Sequence, residues 1–198
     1  MGAANGERLA ADVARLAESL VNIPGPVAGP TLVVVSGLPG TGKSYFSARL
    51  AEKLDFLVLE SDALRKVLFF PPAYTAEESS HLFRVIHELI RQLLLRGIPL
   101  ILDATNLSER HRESLYSIAE HTGAQLILIE VKAPPELVHS RLESRSAAAT
   151  NSDAGWAVYQ KMLPTVEEMR RHHYSVDTSQ DISPVIEKIV KEVMRQRK

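Results

Sequence analysis

TLVVVSGLPGTGKSYFSARLAEKL, residues 31–54, is the stretch whose reading decides the fold. It opens with TLVVVS, apolar in the manner of a strand covered by helices on both faces. It closes with YFSARLAEKL, a helical pattern. Between them, Gly37, Leu38, Pro39, Gly40, Thr41, Gly42, Lys43 and Ser44 match G-x-x-x-x-G-K-[ST]. Each part of that spacing has a physical reason. Glycines let backbone N–H groups turn inward around a phosphate with no Cβ in the way. The helix that starts at the end of the loop points its positive dipole at the same anion. The ammonium of Lys43 reaches the outer phosphates, where it counts as catalytic as well as binding, and the Ser44 hydroxyl is placed to ligate Mg2+.

Outward from this stretch, short apolar runs alternate with helical patterns. The runs are 31–36, 56–61 (FLVLES), 99–104 (PLILDA), 125–131 (QLILIEV) and 174–179 (YSVDTS). Helices are predicted over 43–54, about 62–69, 76–96, 108–121, 134–145, 153–170 and 183–196. Such alternation specifies a three-layer α/β/α domain on a parallel sheet. Upstream, ERLAADVARLAESLV (7–21) has Leu9, Val13, Leu16 and Leu20 at helical spacing, and NIPGPVAGP (22–30) breaks both helix and strand. The expected organisation is therefore an N-terminal helix and Pro/Gly linker, 1–30, ahead of a main domain, 31–198.

Composition bounds the partners. The 198 residues are 45% hydrophobic, enough for one domain with a real core, and the formal net charge of −1 gives no global pull toward nucleic acid or an anionic membrane. Cysteine is absent, which leaves no disulfide frame and no thiolate zinc site. The first residues, MGAANGERLA, lack the basic and apolar regions of a secretory signal, and no apolar run reaches membrane-spanning length. A cytoplasmic protein is expected.

Further residues extend the chemistry beyond the loop. PLILDA ends a buried strand in Asp103, where an acid next to a phosphate loop holds the magnesium shell. Asp62 lies just past the second strand with Arg65 three residues on, so both project from one helical face. A carboxylate there takes the proton of an attacking hydroxyl, and the guanidinium holds a polar or anionic acceptor group; the competing reading is a helix N-cap beside an ordinary surface ion pair. Arg141 and Arg145, four apart, share a face of the next helix, and SAAATNSDAG after them is small and polar. That pattern suits a lid near 141–155 whose arginines neutralise charge on a moving phosphoryl group; the alternative pairs them with Glu136 and Glu143 on a solvated face. Arg110, after the Asp103 loop, is a candidate for facing the acceptor. Trp156, Tyr159 and Met162 form a helical stripe read as packing.

In order, GLPGTGKS, SDALRK, LDATNLSERHR, RLESR and SDAGWAVYQKM resemble the AAA_33-type P-loop kinases, a group similar to the kinase domain of polynucleotide kinase and to zeta-toxin and chloramphenicol phosphotransferase-like enzymes. The resemblance covers roughly residues 31–180. It implies a five-stranded parallel sheet in the order 2-3-1-4-5. It makes Asp62 the general base and Arg65 a contact to an acceptor phosphate, and it puts the lid arginines at Arg141 and Arg145. The implied activity is ATP- and Mg2+-dependent transfer of the γ-phosphoryl group to a hydroxyl of a small molecule or nucleotide. One alternative is a polynucleotide 5′-hydroxyl kinase, disfavoured by a sequence pI near 6.7; another is an ATP-binding regulatory module or ATPase with no acceptor.

Overall fold

The computed structural model describes the backbone of residues 2–146 and 155–196, and side chains over 6–144 and 155–195. Five strands, β1 (Thr31–Ser36), β2 (Leu57–Glu60), β3 (Leu100–Asp103), β4 (Gln125–Lys132) and β5 (Tyr174–Asp177), form one parallel sheet in the order β2-β3-β1-β4-β5. This is the order the resemblance implied. All six residues of β1 are buried because it lies at the centre, with Val33 in register with Ile101 of β3 and Ile127 of β4. Side chains alternate along each strand, so the sheet feeds two separate cores. Leu32, Val34, Leu59, Leu100, Leu102 and Leu128 enter one; Val33, Val35, Ile101, Ile127 and Ile129 enter the other.

The second core is closed by α2 (Lys43–Leu54), through Phe46 and Leu50, and by α8 (Ser183–Gln196), through Ile186, Ile189 and Val193. Phe46 and Leu50 are fully buried, each contributing about 2 kcal/mol of transfer free energy. The first core is closed by α4 (Ala76–Leu95) and α5 (Glu109–Thr122). Helix α3 (Ser61–Leu68) follows β2 and α6 (Pro135–Ser146) follows β4. The N-terminal helix, α1 (Gly2–Ser19), begins earlier than the sequence suggests and packs on α3 and α4. Its Val13 and Leu16 are buried in the first core, and Asp12 accepts or shares a 2.7 Å hydrogen bond with His81 of α4. The helix thus shares the core of the main domain although the sequence sets it off by a Pro/Gly segment. No helix among the described residues is long and apolar enough to cross a membrane.

One predicted element is shorter than expected. In place of a helix over 153–170, α7 runs from Trp156 to Met162 and passes into a 3₁₀ turn, Leu163–Thr165; residues 153 and 154 lie outside the described residues. Pro164 has no N–H to continue the helical ladder. The chain beyond is held by tertiary bonds instead: the Glu167 amide donates to the Leu107 carbonyl at 3.0 Å. The Trp156–Tyr159–Met162 stripe does pack, with Tyr159 buried against Leu38, Leu107, Val138 and Leu142 and the Trp156 ring stacked on it.

Candidate active site

The loop between β1 and α2 is held open by its neighbours. Gly40 has φ 80°, and a Cβ there would lie 2.8 Å from Val138 and 2.9 Å from Leu142 of α6. Gly42 has φ 96°, and a Cβ would meet the Thr178 hydroxyl at 3.0 Å. Any larger residue at either place is both strained and obstructed. Inside the loop the Leu38 carbonyl accepts from the Thr41 hydroxyl at 2.8 Å and from the Lys43 ammonium at 3.0 Å. From β3, the Thr105 carbonyl accepts the Gly37 amide at 3.1 Å and the Asn106 side-chain amide donates to Val35 at 3.3 Å, so the segment after Asp103 is fastened to the start of the loop.

A cleft of about 890 Å³ opens at the carboxyl ends of the strands, where ligands gather in open α/β sheets. Lys43, Ser44, Asp62, Arg65 and Asp103 all line it, together with Glu60, Tyr74, Phe83, His111 and Glu167. Asp103 is the last residue of β3, in register with Val35 and Glu60, and is buried. Ser44 and Asp103 supply hard oxygen donors on one cleft, a set that suits Mg2+, which keeps several waters and takes few protein ligands.

Asp62 stands in the first turn of α3. The N-cap residue of that helix is Glu60, whose side chain makes no capping bond, and Asp62 lines the cleft. Arg65, one turn on, is buried and lies against the ionised Glu78, which it bonds through Nη1; its Nη2 donates to Ser79 at 3.1 Å and its guanidinium lies over the Tyr74 ring at 4.9 Å. Burial alone would raise the Glu78 carboxyl, but the Ala73 amide, Arg65 and the Tyr74 amide together hold it below its ordinary value. Phe83 stacks on His111 at 5.7 Å and also meets the His87 ring at 6.2 Å. Burial, with a smaller effect of His111, pushes His87 down to about 4.

Two of the residues singled out in the sequence lie outside the cleft wall, and the side chain of a third lies outside the described residues. Arg110 is exposed and lies outside the cleft wall. Ser108 caps α5 by accepting the His111 amide, and the 100° step per residue then turns His111 to the cleft and Arg112 inward, leaving Arg110 to solvent. Arg141 also lies outside the cleft wall. Its Nη1 donates to the Thr178 hydroxyl at 2.8 Å and to the Gly40 and Thr41 carbonyls at 3.5 and 3.4 Å, so it braces the outer side of the loop. This follows from α6 packing Val138 and Leu142 on Gly40, which points the adjacent Arg141 at the β5–α8 connection. The side chain of Arg145 and the rest of the expected lid, residues 147–154, lie outside the described residues.

Arg112 went unassigned in the sequence. It is fully buried and donates to Glu109, to the Asn106 and Leu107 carbonyls, and to the Glu167 and Glu168 carbonyls, all within 3.0 Å. It ties the loop after β3 to the segment after α7, which contributes Glu167 to the cleft wall. Glu78, Thr178 and Phe83 were also missed: Thr178 meets the loop from 137 residues away, Phe83 meets His111 of another helix, and Glu78 reaches Arg65 across the turn between α3 and α4.

Comparison with known proteins agrees with this architecture. The chain is 29% identical over 125 residues to the L-seryl-tRNA(Sec) kinase of Methanococcus maripaludis, covering 61% of this chain and 48% of that protein. It is 30% identical over 111 residues to the adenylyl-sulfate kinase of Myxococcus xanthus, covering 54% of this chain and 60% of that protein. The chain thus spans about half the length of the curated relatives it matches. Among solved structures, Kti12 of Chaetomium thermophilum in complex with ADP-AlF3 superposes with a TM-score of 0.66 at 18% identity, over 83% of this chain and 97% of that one, which shows a shared fold. A family model, AAA_33, described as an AAA domain, matches residues 32–169, from β1 through the phosphate loop, Asp62 and Asp103 to the segment held by Arg112. The chain belongs to the AAA_33 family of AAA domains.

Proposed function

We propose that this chain is a kinase that uses ATP and Mg2+ to phosphorylate a hydroxyl group of a small molecule or nucleotide. One observation carries the reading: Asp62 lines the same cleft as Lys43, Ser44 and Asp103, so a proton acceptor and a phosphate cradle face one space. The loop amides and the N-terminus of α2 hold the phosphates, and Lys43 leaves the Leu38 carbonyl for the outer phosphate oxygens. Mg2+, held by Ser44 and Asp103, would supply charge neutralisation at the β- and γ-phosphate oxygens. Asp62 accepts the proton of the acceptor hydroxyl as its oxygen attacks the γ-phosphorus and the bridging oxygen departs with ADP. Leu107, Met162 and Pro164 add apolar surface to the same cleft.

The test is a transfer assay with γ-labelled ATP, Mg2+ and a panel of nucleosides, sugars, amino alcohols and oligonucleotide 5′-ends. Label on an acceptor supports the kinase; label found only in free phosphate, whatever the acceptor, overturns it in favour of an ATPase module. Transfer to oligonucleotide ends that weakens steeply with salt would favour a polynucleotide kinase.

A further inference from the structure

The acceptor half of the cleft has an unusual charge balance. Among the described residues lining the whole cleft, the Arg and Lys side chains are Lys43 and Arg65, against the carboxylates Glu60, Asp62, Asp103 and Glu167; with Asp103 assigned to Mg2+, Glu60, Asp62 and Glu167 remain for the acceptor side. Under the kinase reading, on which this inference rests, Lys43 belongs to the phosphates of ATP. Arg65 is then the cation nearest to hand for an acceptor, and the fold has already matched it. Its guanidinium and the Glu78 carboxylate are each only 8% exposed and bonded to one another, Ser79 takes a second edge, and Tyr74 covers the face. The Glu78 carboxylate is further held ionised by the Ala73 amide at 2.7 Å and the Tyr74 amide at 3.2 Å. An anionic group entering here would meet a neutral ion pair and a wall of carboxylates, with its own hydration lost.

Arg65 still keeps one donor unsatisfied. Its Nε–H is buried and has no acceptor among the described residues, and the residue lines the cleft. A neutral oxygen of a ligand satisfies such a donor without bringing a charge. Beside it stands an apolar wall: Phe83 stacked on His111, with Tyr74, Met162 and Pro164. Flat rings present area of this kind to flat or apolar ligand faces.

We infer that the acceptor is a hydroxyl compound without an anionic group, carrying a flat or apolar face for the Phe83–His111 wall and a neutral oxygen for Arg65. The Arg65–Glu78 pair makes the difference: it converts a position that would read phosphate or sulfate into one that rejects them.

The experiment measures binding, with no need for transfer, in the presence of Mg2+ and a non-hydrolysable ATP analogue. Matched pairs are titrated: adenosine against 3′-AMP, ribose against ribose 5-phosphate, glucosamine against glucosamine 6-sulfate, phenylethanol against its carboxylate analogue. The non-anionic member of the pairs that bind is expected to be tighter by about tenfold, the order of one unfavourable charge contact screened nearly as in water. Glu78→Gln uncovers the guanidinium and should shrink that preference several-fold. Arg65→Gln combined with Glu78→Gln removes both charges and should restore it. Retained binding of the ATP analogue shows that each variant is folded; if Glu78→Gln fails that control, the wild-type titration and the double variant decide. Equal or tighter binding of the anionic members overturns the inference, as does failure of every non-anionic member to bind. A clear preference for the non-anionic members, with no label transferred in the assay above, would leave this inference standing and remove the kinase reading.

Discussion

The two ends of the cleft are built by different means. At the proposed phosphate end, the groups offered to a ligand are the backbone amides of one loop with Lys43 and Ser44 at its end, and other side chains hold that loop in shape: Thr178 and Arg141 on its outer carbonyls, Val138 and Leu142 over Gly40. At the acceptor end, selective groups are side chains carried on α3, α4 and α5, and each is set by a partner from another element. Two buried arginines show the contrast. Arg112 is saturated, mostly by carbonyl oxygens, and acts as a fastening. Arg65 is neutralised by a carboxylate and keeps one N–H without an acceptor among the described residues, which is why the proposal above turns on it. Backbone sites recognise what every member of a family shares, whereas side-chain sites can change with single substitutions.

That division breaks most visibly at Asp62. Asp62→Asn is expected to lower turnover by about 10²–10⁴-fold, with affinity for a non-hydrolysable ATP analogue kept within about twofold, since the phosphate end should not depend on it. Equal loss in both measurements would mean that the two ends are one unit. Next in size, Arg112→Met leaves several buried carbonyls without donors and should cost about 3 kcal/mol in urea unfolding. A cost under about 1 kcal/mol would show that the wall it fastens is held by other contacts.

A pH series sharpens the acceptor side. His87, behind Phe83, is pushed down to about 4 in the fold, below its ordinary 6.5. Protons are therefore bound more readily by the unfolded chain, and stability present above 6.5 falls as pH drops toward 4. From about pH 7.5 to 5 the loss from this residue should be about 2 kcal/mol, and His87→Leu should flatten that part of the profile. The smallest effect is expected on the outer side of the phosphate loop. Thr178→Val removes the 2.6 Å bond to the Thr41 carbonyl and the acceptor for Arg141. ATP-analogue affinity should fall by about fivefold, equivalent to one neutral hydrogen bond, with the acceptor preference unchanged.

Local pattern carried much of the architecture. β1 is found over the six residues predicted, and α2 over the twelve, because their apolar periods and glycine punctuation act within a few residues of chain. The helix predicted over 153–170 was cut short because Pro164 acted together with a tertiary anchor, Arg112, supplied from more than fifty residues away. Arg110 and Arg141 stand away from the cleft wall for a related reason. Periodicity says which residues share a face, while packing says where that face points.

By itself, the sequence determined a parallel α/β fold with a phosphate loop at residues 37–44, Asp62 after β2 and Asp103 at the end of β3. These depend on spacing along the chain and on the handedness of strand–helix connections, both of which are local. Only the tertiary structure decided that Arg65 is paired with Glu78, that His111 rather than Arg110 faces the cleft, and that Arg141 braces the loop. Those outcomes depend on which helices pack together, and the free energy of burying a charge is fixed by the partner that packing provides.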